Sequence, residues 1–141
     1  MQTLEEVIEY FKDDHYAMKT TGIELIDVRK EYAKCKMPIT TNHRNAMGGV
    51  MGGAIFTLGD FAFGVAANCD QPLTVSLNLH IHYLNMTKGT VLYAEAHCNK
   101  SGGKTCHYTV VVTDDLGVEV ARLAATGMRV SDKSGPELKN S

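Results

Sequence analysis

Between Ala46 and Cys69 the chain carries one charged residue, Asp60, in a stretch otherwise apolar or small. Within it, residues 50–68, VMGGAIFTLGDFAFGVAAN, predict a helix that is apolar on nearly every side. Such a helix cannot lie on a surface; something has to surround it. A membrane would be one answer, and residues 50–67 have about the length. Yet that stretch holds four glycines and Asp60, and no basic flank orients it. A charge at mid-span costs on the order of 3 kcal/mol on insertion. A helix buried inside a soluble domain is the expectation.

The second half of the chain supplies the wrapping. Leu73, Val75, Leu77, Leu79, Ile81 and Tyr83 alternate with Thr74, Ser76, Asn78, His80 and His82, the period of a strand with one face on a core. Strands over residues 91–98 and 105–113 follow, joined through Ser101-Gly102-Gly103 in a hairpin. Asp115-Leu116-Gly117 turns into a last strand over residues 118–130. Ahead of the central helix, residues 23–29 and 32–37 read as two strands, the second ended by Pro38. Leu4, Val7, Ile8 and Phe11 fall on one stripe and predict a short N-terminal helix. Helix, two strands, buried helix, four strands: the order describes an α+β domain, an antiparallel sheet wrapped around one helix. That domain is expected over residues 1–130. The tail 131–141, SDKSGPELKNS, has nothing to bury and is expected to be disordered.

The chain's 141 residues suffice for one core and not for two. A net charge of −2, without a basic run, argues against nucleic acid or an anionic membrane surface as partner. The acidic N-terminus lacks a signal-peptide layout, and the four cysteines, Cys35, Cys69, Cys98 and Cys106, form no C-x-x-C. Both features predict reduced thiols in the cytoplasm. His80 and His82 share a strand face, but no third ligand lies nearby in sequence, so no metal site is expected.

Asp60 admits two readings: a structural acid that is capped, exposed or paired with arginine, or a catalytic carboxylate. Gly48, Gly49, Gly52 and Gly53 just upstream are poor helix formers. Either they let the helix pack tightly on the sheet, or they open its N-terminus to a group carrying developing negative charge. Distance sharpens the second case. Gly52 and Asp60 are eight residues apart, roughly 12 Å along a helix. A carboxylate acting on a carbonyl must come within about 3–3.5 Å. One helix cannot serve one carbonyl twice. If both residues are catalytic, Gly52 of one subunit faces Asp60 of another, which predicts a symmetric homodimer with two composite sites.

The pattern N-x-x-G-x-x-x-G-G-x-x-x-x-L-x-D, here Asn45, Gly48, Gly52, Gly53, Leu58 and Asp60, resembles the signature of hotdog-fold acyl-CoA thioesterases. It is most similar to the branch typified by the phenylacetate-degradation and 4-hydroxybenzoyl-CoA enzymes. The likeness runs from about Ile23 to Val130 and takes in VSLNLHIHYLN and GKT. It implies the hotdog fold, with two units pairing edge to edge and assembling further as a dimer of dimers, a homotetramer. It also implies hydrolysis of a small-molecule acyl-CoA to a carboxylic acid and free coenzyme A, without metal or added cofactor.

By the same resemblance, the Gly52 N–H polarises the thioester carbonyl and the partner subunit's Asp60 is nucleophile or general base. Asn45 makes a polar contact at the thioester. Ser76 either helps hold the attacking water or is a plain polar residue on the non-core face of its strand. Met51 and Gly53 flank the polarising amide as substrate-binding positions. Gly103, Lys104 and Thr105 match a turn that touches the coenzyme A phosphates; Lys104 and Lys100 as two solvated lysines is the alternative. Phe56, Phe61 and Phe63 either line an aromatic-accepting pocket or belong to the core.

One departure stands out: the family usually has His where this chain has Met51, and methionine offers no proton. A thiolate, with a thiol pKa of about 8.5, leaves without a general acid, so hydrolysis need not be lost. His43 either substitutes or is an exposed loop residue. A non-catalytic acyl-CoA-binding module of the same fold is the first alternative function. A hotdog enoyl-CoA hydratase is the second, although residues 61–68, FAFGVAAN, lack the His those enzymes pair with Asp.

Overall fold

The computed structural model describes residues 2–139. The N-terminal stripe forms α1, Leu4–Phe11, closed at its start by a reciprocal cap between Thr3 and Glu6. Val7 is buried beneath it. A π-helical turn, Tyr16–Thr20, leads into a hairpin of β1, Glu24–Arg29, and β2, Tyr32–Pro38. The central helix α2 runs Gly52–Asn68. After it come β3 (Thr74–Tyr83), β4 (Val91–Ser101), β5 (Thr105–Asp114) and β6 (Glu119–Arg129). All six strands form one antiparallel sheet in the order β1-β2-β4-β5-β6-β3.

Every strand touches α2, and Leu58, Ala62, Val65 and Ala66 of the helix are wholly covered. The demand of an all-apolar helix is met by the sheet. Among the described residues no helix is long and apolar enough to cross a membrane.

β3 departs from the sequence reading. Its apolar residues alternate without a break, yet Val75 is 44% and Leu77 57% exposed. The cause is a β-bulge: Ser76 pairs with Gly127 and Asn78 with Thr126, leaving Leu77 as the extra residue. One extra residue exchanges the faces of everything beyond it. Leu79, Ile81 and Tyr83 lie across from Ala125, Leu123 and Ala121, on the helix side. Ser76, across from Gly127, is on that side too. The alternative that put Ser76 on the non-core face is therefore corrected. A Cβ at Gly127 would come within 2.7–2.9 Å of Thr74, Cys106 and Phe63, so only glycine fits beneath the bulge. β3 is also the last strand of the sheet, with one edge unpaired among the described residues.

Arg129 closes the far end of α2. Its guanidinium donates to the Ala67 carbonyl at 3.1 Å, to the Thr74 hydroxyl, to Gln71 Oε1 at 2.9 Å and to Ser101 Oγ at 2.7 Å. The negative end of the helix dipole and its unsatisfied carbonyls thus receive a fixed cation.

In the tail, Gly135–Lys139 form a short helix, α3. Gly135 is buried with the Tyr10 hydroxyl where a Cβ would stand, and the Lys139 ammonium reaches Asp13 at 2.9 Å. The sequence offered no apolar group to bury here; the contact uses the absence of a side chain and one ion pair. The end of the expected disordered tail, residues 140 and 141, lies outside the described residues.

Candidate active site

Asp60 sits half-buried midway along α2. It lines a cavity of about 290 Å³ together with Phe11, Asp14 and Tyr16 from the N-terminal segment, Phe61 from α2, and Ser76 from β3. The Ser76 hydroxyl donates to Asp60 Oδ1 at 3.4 Å, a long contact. Burial pushes the Asp60 carboxyl above the ordinary aspartate range. The Ser76 hydrogen bond opposes that rise, and the negative charge of Asp14 adds to it.

Gly52 opens α2 behind Met51, whose side chain makes no capping hydrogen bond. The first N–H groups of a helix have no intrahelical acceptor, so the amides here form a bare, partly positive end. Beside it lies a second cavity, of about 570 Å³, lined by Asn45, Met47, Gly49, Gly52, Tyr83 and Met86 among others. Asn45 Oδ1 accepts from the Met47 N–H at 3.0 Å and the Gly49 N–H at 3.1 Å, shaping the loop that leads into the helix. Gly48, between them, has φ 83°, a turn conformation that glycine adopts without strain. The Tyr83 hydroxyl donates to the Gly52 carbonyl at 2.8 Å.

The two cavities have no residue in common. Within the chain the fold brings Asp60 to Ser76 and places Gly52 and Asn45 at one cavity, and the two pairs line different cavities. Met51 is exposed at the helix start and Gly53 lies beside it, both outside the cavity linings. Gly103, Lys104 and Thr105 occupy the β4–β5 hairpin end. Thr105 pairs with Met128, which pairs with Val75, two strand spacings or roughly 10 Å from β3.

His43 is not an exposed loop residue. It is buried, with Nδ1 accepting from the Thr40 N–H at 2.9 Å and Nε2 2.6 Å from the Thr21 carbonyl. That pairing requires the proton on Nε2 and occupies both nitrogens, so His43 cannot stand in for the histidine absent at position 51. Phe63 is core, edge-on to Tyr108, whereas Phe61 packs on Phe11 and lines the Asp60 cavity. His80 and His82 lie side by side on β3 with their rings tilted by 46°; the described residues contain no cluster of three or more metal-ligating groups. Sequence reasoning missed Asp14 and Tyr83. Nothing in the sequence brings Asp14 to Asp60, and Tyr83 is hidden as one more apolar member of an alternating run.

A single long helix held in a six-stranded antiparallel sheet is the hotdog fold. The chain superposes on the PaaI protein of E. coli, from the phenylacetic acid degradation operon, with a TM-score of 0.85 at 22% identity, over 92% of this chain and 94% of that one. A hypothetical thioesterase from Streptococcus pneumoniae, solved with coenzyme A, matches with a TM-score of 0.80 at 25% identity, over 88% and 99%. A curated Archaeoglobus fulgidus protein named "Putative esterase" is 29% identical over 96% of this chain and 88% of its own length. Residues 16–130 match the family described as Domain of unknown function (DUF4442), and the chain belongs to that family.

Proposed function

We propose that this protein is an acyl-CoA thioesterase in which Asp60 acts as nucleophile or general base on water. The observation that carries the reading is Asp60 itself: a half-buried carboxylate at mid-helix, held up in pKa by burial and contacted by Ser76 beside a cavity. A base poised nearer neutral pH is better matched to proton transfer than an ordinary aspartate. The likeness to a hypothetical thioesterase crystallised with coenzyme A supports an acyl-CoA as the substrate class.

The carbonyl would be polarised by the Gly52 amide of the other subunit. Two features support this. Gly52 and Asp60 line separate cavities in one chain, and β3 presents an unpaired edge with exposed Val75 and Leu77, followed just past its end by exposed Leu84 and Met86. Pairing two such edges would cover these side chains and close two composite sites in a homodimer. Asn45 and Gly53 would flank the thioester. Gly103, Lys104 and Thr105 would meet the coenzyme A phosphates, and dimers would associate in pairs. A cytoplasmic setting and the absence of any added cofactor belong to the same proposal.

Met51 favours one other reading, a module that binds acyl-CoA without cleaving it, since His43 is committed elsewhere. Thiol release, followed with a chromogenic disulfide over short, medium, long and aromatic acyl-CoAs, separates the two. Turnover that falls at least a hundredfold in Asp60→Asn is expected. Undiminished turnover in that variant would refute the mechanism, and tight binding with no release would establish the module.

A further inference from the structure

Gly52 is the residue on which the proposed carbonyl contact depends, and it is poorly restrained by its own neighbours. It has no Cβ, it follows an N-cap without a capping bond, and it begins a run of two glycines. Glycine is the residue with most backbone freedom to lose. An amide that wanders is a weak oxyanion donor, because such stabilisation depends on dipoles fixed before the reaction.

The restraint comes from β3. The bulge at Leu77 turns Tyr83 to the helix side, where its hydroxyl donates to the Gly52 carbonyl at 2.8 Å. The fit is close: a Cβ on Gly52 would lie 2.9 Å from the Tyr83 hydroxyl and 3.0 Å from the ring carbon bearing it. Glycine at 52 and tyrosine at 83 are therefore one arrangement. The ring occupies the room that the missing side chain leaves, and its hydroxyl fixes the Gly52 carbonyl.

We infer that Tyr83 is a positioning residue of this site, acting through Gly52 to hold the first peptides of α2 in the orientation that receives a substrate oxygen. The catalytic part of this inference rests on the thioesterase reading; the effect on Gly52 does not. Tyr83→Phe keeps the ring and removes only the hydroxyl. Amide 1H–15N spectra of the substrate-free protein should show the Gly52 and Gly53 signals shifted or broadened in the variant, with the unfolding temperature nearly unchanged. In the thiol-release assay kcat should fall about fivefold at unchanged KM, the scale of one lost neutral hydrogen bond felt in the transition state. Glycine signals that stay in place would overturn the inference, whatever the assay gives. So would glycine signals that move while kcat and KM both hold. A wild type without turnover would remove the thioesterase reading and leave the spectra to decide whether Tyr83 orders Gly52.

Discussion

At the scale of single residues the site is governed by opposed effects on one carboxyl group. Burial and Asp14 raise the Asp60 pKa and the Ser76 hydrogen bond lowers it. The acid limb of the kcat/KM profile should thus lie above pH 3.8, the ordinary aspartate value. Asp14→Asn should move that limb to lower pH and Ser76→Ala to higher pH; shifts in the same direction would contradict this arrangement. The same perturbation has a stability cost. An acid whose folded pKa is raised stabilises the protein at low pH, and that contribution disappears as pH rises through the folded value. At pH 7 Asp60→Asn should accordingly unfold at a higher temperature than the wild type while losing turnover, a trade expected of an active-site acid. Gly52 permits an equally direct test. Proline is well accepted at the first position of a helix and has no N–H; Met51, at ψ 133°, already has the extended conformation that a following proline requires. Gly52→Pro should abolish turnover, and Gly52→Ala, which crowds Tyr83 equally but keeps the amide, should retain part of it.

At the scale of elements, what the sequence made legible is what periodicity reports. The apolar helix, the strands and the hairpin ends appear close to where pattern and turn residues put them, with α2 beginning two residues later than predicted and β4 running three residues further, to Ser101. The bulge in β3 left no such mark, because Leu77 fits the alternation that its insertion breaks. Periodicity carries no information about an unpaired residue that has the expected polarity. The face of Ser76, and with it part of the candidate site, was unreadable for that reason, while Leu79, Ile81 and Tyr83 face the helix as the alternation predicts. The burial of His43 was hidden similarly: its partners are backbone groups at Thr21 and Thr40, which no side-chain pattern encodes. Deleting Leu77 should restore a plain ladder and force either Ser76 or the Leu79–Ile81–Tyr83 face away from α2. Loss of turnover together with a lowered urea midpoint is expected. Arg129→Met should cost about 2 kcal/mol in urea unfolding, since the Ala67 carbonyl and Gln71 lose a charged donor while partly buried.

At the scale of the whole molecule, the cavities at Asp60 and at Gly52 share no residue, and of the two edge strands, β1 and β3, the proposed homodimer would close on β3. Leu77→Lys, which sets a charge on that edge, should yield monomers by light scattering, and these should not turn over substrate; an active monomer would refute the shared site. Separate halves also carry a genetic consequence. A subunit with Asp60→Asn still offers a sound Gly52, and a subunit with Gly52→Pro still offers a sound Asp60. Unfolded together and refolded at equal concentration, two dead proteins should assort at random. About half the dimers would be mixed, each with one of its two sites intact, so about a quarter of wild-type activity should return. In the proposed dimer, the spacing of eight residues along one helix would make these two defects complementing alleles.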